Sequence, residues 1–290
     1  MKAFANPPQY VSTGNHCRVG LDVWSRLDRE SNLPEGVRDP IEAAAEQNIG
    51  ISLWWLGEYE DAQKQFDKAQ KTRSSVKRNE KKTPTLSEQS VKLRGLLATG
   101  LTDYTLGQYI KLRNTIEECR GLTGGMTRSD PHRLALKMLE LRGDLAALRY
   151  ARAELRGIEL LKEAAQLGNA HPALIAARFR TVEAYLGNAK NLRAPEAKKL
   201  LDEAFAALNE LGAAEHIDMV TYWRLLAYHE YLTGRPDNAK TALDRGDALA
   251  KKILYVNQTG KARPHVETAL NHGLRGLTAI APCAAAIRPN

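Results

Sequence analysis

The chain has 290 residues, 43% of them hydrophobic, and a formal net charge of +8. That length and apolar share provide for a sizeable folded core and exclude disorder of the whole chain. Cys17, Cys119 and Cys283 are widely spaced and form no CxxC pair, which excludes a disulfide framework or a cysteine zinc site and fits a reduced, cytoplasmic setting.

Apolar residues recur at helical spacing from Val19 to His272, and alternating β-branched runs are almost absent. An all-α fold is therefore expected. Residues 1–38 read as a polar arm with one capping helix, Val19 to Glu30. Met1 to Tyr10 carries no apolar core of a signal peptide, and no run of 18 apolar residues is available to span a membrane.

Asp39-Pro40 places an N-cap before a first-turn proline, so a helix is predicted over Ile41 to Leu56. Gly57 breaks it, and Tyr59 to Thr72 forms its partner. Residues 71–85 read as a basic linker. Lys71, Arg73, Lys77, Arg78, Lys81 and Lys82 face a single acid there, Glu80, which leaves only +3 of the net charge for the rest of the chain. The next pair is Ser87 to Leu106 and Tyr109 to Arg120, broken at Gly107, with a glycine-rich loop from Gly121 to Ser129. Asp130-Pro131 opens a helix that runs to Arg142, and a longer one follows from Leu145 to Leu167 with Gly143 at the break. His171-Pro172 and Ala194-Pro195 open a fourth pair ending near Leu186 and Leu211. Ile217 to Thr233 and Pro236 to Val256 form a fifth, and His265 to Leu274 reads as a closing helix before an apolar tail, Leu277 to Ile287.

The pairs begin near residues 40, 86, 131, 171 and 216, a spacing of 40 to 46. Hairpins are expected over 40–72, 86–121, 131–167, 171–211 and 216–256, making 39–256 one solenoid and 257–290 its C-terminal cap and tail. A hairpin alone cannot cover its apolar face, so such units stack.

The repeated punctuation is specific. Gly50-x6-Gly57-x-Tyr59 is followed by Ala62, Phe66 and Ala69, and Gly100-x6-Gly107-x-Tyr109 by Leu112, Ile116 and Cys119. Trp223-x2-Leu226-Ala227, Gly234, Ala239 and Leu243 form a third copy. This pattern resembles the tetratricopeptide repeat, in which small residues let paired helices approach and large ones fill the gap beside them. Glu46 stands where that family usually has tryptophan, and the period exceeds the family's usual length of about 34 residues. The resemblance implies an all-α, right-handed superhelix of about five hairpins with terminal caps, and a HEAT-like stack is the competing fold.

The same resemblance implies that first helices line a concave groove for peptide or protein. It assigns Gln47, Ile51, Trp54 and Trp55 to that groove in the first copy, and Arg94, Leu97, Leu101 and Tyr104 in the second. Thr181 and Tyr185 follow in the fourth, and Arg224, Tyr228 and Tyr231 in the fifth. Tyr, Trp and Arg are the side chains that most often carry interface energy. Trp54 and Trp55 lie about 100° apart on a helix, so one of them is expected in the core. The slots of a carboxylate clamp are not filled: Ala44, Gln47 and Ile51 face Arg94, Leu97 and Leu101.

No GxSxG, HExxH or P-loop occurs, the seven histidines are dispersed, and His229-Glu230 are adjacent residues expected on different faces. No catalytic residue, metal or cofactor is assigned. The function expected is a non-catalytic, cytoplasmic adaptor or regulatory sensor that binds protein or peptide. An RNA-binding repeat protein that uses the basic linker is the alternative, and a homodimeric module joined through the apolar tail is a second alternative.

Overall fold

The computed structural model describes residues 35–55, 57–75, 86–127, 130–253 and 269–275. The arm, the predicted helix at Val19–Glu30, most of the basic linker and the tail lie outside them. Among the described residues there is no strand.

Ten α-helices follow one another among the described residues: α1 Glu35–Trp55, α2 Tyr59–Ser75, α3 Leu86–Thr105, α4 Tyr109–Leu122, α5 Pro131–Ala146, α6 Tyr150–Ala164, α7 Pro172–Gly187, α8 Ala194–Glu210, α9 Ile217–Leu232 and α10 Pro236–Ile253. A 3₁₀ turn, Ala165–Leu167, extends α6, and residues 269–275 are helical again. Odd-numbered helices open hairpins 1 to 5, and even-numbered helices close them. The described residues up to Leu139 form one compact unit and those from Glu140 another, the boundary falling inside α5.

The repeated motif residues are packing residues. Ala62, Phe66 and Ala69 are buried in the N-terminal unit, and Ala239 and Leu243 in the C-terminal one. A Cβ at Gly50 would stand 2.6 Å from the Phe66 ring, so α1 and α2 meet this closely only because position 50 is glycine. Glu46, in the slot of the missing tryptophan, is fully buried and is met by Lys68 at 2.7 Å and the Thr72 hydroxyl at 3.1 Å. Two histidine caps start helices in the C-terminal unit. His171 Nδ1 accepts from the Ala173 amide at 3.1 Å, and His216 Nδ1 from the Asp218 amide at 3.2 Å.

Four hairpins share one turn. In hairpin 5 the Gly234 amide donates to Tyr231 O at 3.1 Å and the Arg235 amide to Glu230 O at 2.8 Å. Matching pairs close hairpin 1 (Gly57 to Trp54, Glu58 to Leu53), hairpin 2 (Gly107 to Tyr104, Gln108 to Asp103) and hairpin 3 (Leu148 to Leu145, Arg149 to Asp144). This is the Schellman arrangement, whose next-to-last residue must turn left-handed. Gly57, Gly107 and Gly234 do so, at φ 80°, 70° and 77°.

Three sequence expectations need correction. Helix α1 begins at Glu35 and runs through Asp39-Pro40, so its start lies about a turn before the cap that the sequence suggested. Gly143 lies within α5, and the break comes at Leu148, a leucine at φ 56°. The turn there is set by its two hydrogen bonds, and they act on whichever residue occupies that position. Lys71 and Arg73 belong to α2, not to a linker.

Candidate functional site

Within the N-terminal unit, α3 carries one long face. Arg94 is exposed, and Leu97, Leu101 and Tyr104 are half-buried at helical spacing beside it. Leu97 and Tyr104 rest on the core of hairpin 2, which contains Leu93, Leu112 and Ile116, and Leu101 rests on the core of hairpin 1. Val91, 46% exposed, lies one turn before Arg94 and extends the face. Sequence reasoning missed it, although its spacing of three from Arg94 was the available signal.

The α1 residues are engaged internally. Ile51 is half-buried against the hairpin 1 core. Trp54 is buried in that core, edge-on to Tyr59 with ring centroids 5.9 Å apart, as expected for one member of the tryptophan pair. The Trp55 side chain lies outside the described residues. Gln47 is buried and accepts a hydrogen bond from Arg73, whose guanidinium occupies the space a side chain at Gly95 would need. Burial lowers the Arg73 pKa, with Arg94 adding to the effect.

In the C-terminal unit, Thr181 and Tyr185 face inward. The Thr181 hydroxyl donates to Ala177 O at 2.8 Å, and its side chain fills the space above Gly157 of α6. Tyr185 is buried with the Arg193 guanidinium 4.5 Å above its ring, and burial pushes its phenol pKa up. The outward face of α7 belongs instead to Arg180 and Glu183, which sequence reasoning missed although they stand at i and i+3. Arg180 Nη1 donates to both Glu183 oxygens at 2.7 Å, and Arg224 Nη2 from α9 donates to the same carboxylate at 2.8 Å. One glutamate thus joins two first helices.

Tyr228 and Tyr231 continue the Arg224 row on α9. Both are half-buried and pack on the core of hairpin 5 around Ala239 and Leu243. Burial raises the Tyr228 phenol pKa, and Tyr150 and Tyr231 add to it.

His229 and Glu230 differ from expectation. They are adjacent, yet His229 Nδ1 lies 3.3 Å from Glu230 Oε1, because the glutamate curls back towards the turn to meet Arg235. His229 Nε2 lies 3.1 Å from Ala194 O and joins α9 to the start of α8. Both residues are buried, so the pair is a structural contact. Among the described residues no group of three His, Cys, Asp or Glu is placed to hold a metal ion, and no helix is long and apolar enough to cross a membrane.

No protein-family model matches the chain, and the search of curated proteins returns no significant match. Solved structures do resemble it. One is a single-residue variant of a Podosopora anserina protein described as a kinesin light chain with nearly identical TPR-like repeats. It is 18% identical, at a TM-score of 0.51, over 72% of this chain and 94% of that one. A second structure under the same description gives 18% identity and a TM-score of 0.49, over 72% and 95%. At this identity the first likeness shows the fold: an all-α array of TPR-like helical hairpins.

Proposed function

We propose that this chain is a non-catalytic scaffold, an adaptor or regulatory sensor, that binds a protein or peptide segment on the faces of its first helices. One observation carries the reading. The α3 row of Leu97, Leu101 and Tyr104 is only half-buried and lies beside exposed Val91 and Arg94, so a rigid helix presents partly open apolar surface and a charge. Tyr228 and Tyr231 on α9 set a similar half-buried aromatic pair in the other unit, one turn after Arg224, which is itself buried and held by Glu183. Half-buried aromatic and aliphatic side chains add area on binding while losing little rotamer freedom, and a nearby guanidinium orients polar groups.

The test is selection of a displayed random-peptide library on the full-length chain, followed by affinity measurement with the recovered peptides. Leu97→Ala with Tyr104→Ala, or Tyr228→Ala with Tyr231→Ala, should weaken binding at least about tenfold with far-UV helicity unchanged. Unchanged affinity in both double variants would overturn the reading. So would tight binding of single-stranded RNA that weakens steeply with salt, since that is the signature of phosphate neutralisation.

A further inference from the structure

The shared turn places an acid at the same point in three hairpins. Asp103, Asp144 and Glu230 each supply the carbonyl that accepts the second turn hydrogen bond. All three are buried. In hairpin 3, Asp144 is met by Arg149, Arg152 and Arg156, at 3.7, 3.3 and 2.6 Å. In hairpin 5, Glu230 accepts from Arg235 and from Asn238 at 3.3 Å, and His229 Nδ1 lies 3.3 Å from it.

The partners stand five, eight and twelve residues after the acid in hairpin 3, and five and eight after it in hairpin 5. The corresponding residues in hairpin 2 are Gln108, Lys111 and Thr115. No arginine is among them. Thr115 Oγ1 donates to Asp103 Oδ2 over a long 3.3 Å, and Asp103 Oδ1 is buried with no hydrogen-bond partner. The Gln108 Oε1 beside this turn is likewise buried without one. The charged groups acting on Asp103 are Lys111 from α4, which favours the carboxylate, and Asp67 from α2, which opposes it.

We propose that Asp103 makes hairpin 2 a proton-responsive element, its turn end tight when this carboxyl is neutral and loosened when it is ionised. A carboxylate enclosed without a paired cation is disfavoured relative to the acid, whereas the arginine-paired Glu230 of hairpin 5 is favoured in the ionised form. The shifts agree. Burial is the largest influence on Asp103 and pushes it up to about 6, whereas the Arg235 hydrogen bond leads in holding Glu230 at about 2. The sign follows by linkage. A carboxyl raised on folding contributes its stability in full below the ordinary 3.8 and loses it as pH rises through about 6. The element is independent of what α3 binds, but it sits directly beside Tyr104, so it would tune that end of the α3 face.

The experiment compares the full-length wild type with Asp103→Asn and Gln108→Arg. Folding equilibria from urea titration are read from about pH 4 to about pH 7.5, and amide exchange of α3 and α4 at both limits. Above about pH 6.5 the Asn variant should have a folded-to-unfolded ratio up to about a hundredfold higher than wild type, and the advantage should vanish near pH 4. Exchange in α3 and α4 should accelerate with ionisation in the wild type only, beyond the intrinsic base catalysis common to all three proteins. In Gln108→Arg the carbon-13 titration of the Asp103 carboxyl should fall below about 4. A wild-type carboxyl that titrates near 4, or a wild-type-to-Asn difference that is the same at every pH, would overturn the proposal. If the arginine variant does not fold, the carboxyl titration of the wild type still decides it.

Discussion

Hairpins 2 and 5 are built to one plan and differ in how the plan treats charge. Both end their first helix in the same two hydrogen bonds around a left-handed glycine, and both bury an acid at the turn. Hairpin 5 surrounds its acid with Arg235, Asn238 and His229, and it is closed on itself by polar contacts. Hairpin 2 offers Asp103 a single long hydrogen bond from Thr115. The fold therefore specifies backbone geometry repeat by repeat, while polar satisfaction is set locally. Removing one partner from a buried acid matters more than any exposed ion pair elsewhere.

The largest effect expected from breaking the contrast is at Arg235. Arg235→Ala leaves Glu230 buried with weaker partners and should lower the folded-to-unfolded ratio by roughly thirtyfold at neutral pH, a figure held down because the guanidinium is half exposed. Urea titration measures it. Glu230 is depressed, so its contribution is complete above the ordinary 4.5 and drains as pH falls towards about 2. The penalty of the variant should shrink over that interval, opposite in direction to the pH dependence expected for Asp103.

Next in size is the Gly157–Thr181 contact that seats α7 on α6. A Cβ at position 157 would lie 2.5 Å from Thr181 Oγ1, so Gly157→Ala should destabilise by about 1–2 kcal/mol. Adding Thr181→Ala should recover most of that, since it vacates the same space. A double-mutant cycle reads the coupling.

The smallest effect compares the turns themselves. Leu148→Gly relieves a leucine held left-handed and should stabilise by up to about 1 kcal/mol, whereas Gly107→Leu should lose about as much. Thermal melts of both variants, run side by side, would show shifts of opposite sign.

Much of the architecture was legible because its signals are local. The glycines at 57, 107 and 234 mark turns that need a left-handed residue. Ala62, Phe66, Ala239 and Leu243 fill a small-next-to-large packing pattern, and His171-Pro172 announces a helix start. The third turn escaped because Leu148 gives no compositional signal, while Gly143, which does, sits inside a helix. The candidate faces were only partly legible. Assigning Thr181 and Tyr185 outward required the rotation of α7, and that is decided by the notch at Gly157, on a different helix. Arg180 and Glu183 look like an ordinary surface pair until Arg224 arrives from forty-one positions away. The turn acids carry a signal that could have been read: an acid followed five and eight residues later by arginine, or by arginine and asparagine.

The latch that ends α1, α3, α5 and α9 is made entirely from residues within six positions of one another. Each such corner can form before any distant segment has been found, so the chain has several independent places from which ordering can spread. The connection at 188–193, between α7 and α8, has no such latch: Asn188 donates back to Ala184 instead. Hairpin 4 should therefore depend on its flanking neighbours for nucleation, and a refolding intermediate that lacks only this pair is the form in which that dependence would be seen.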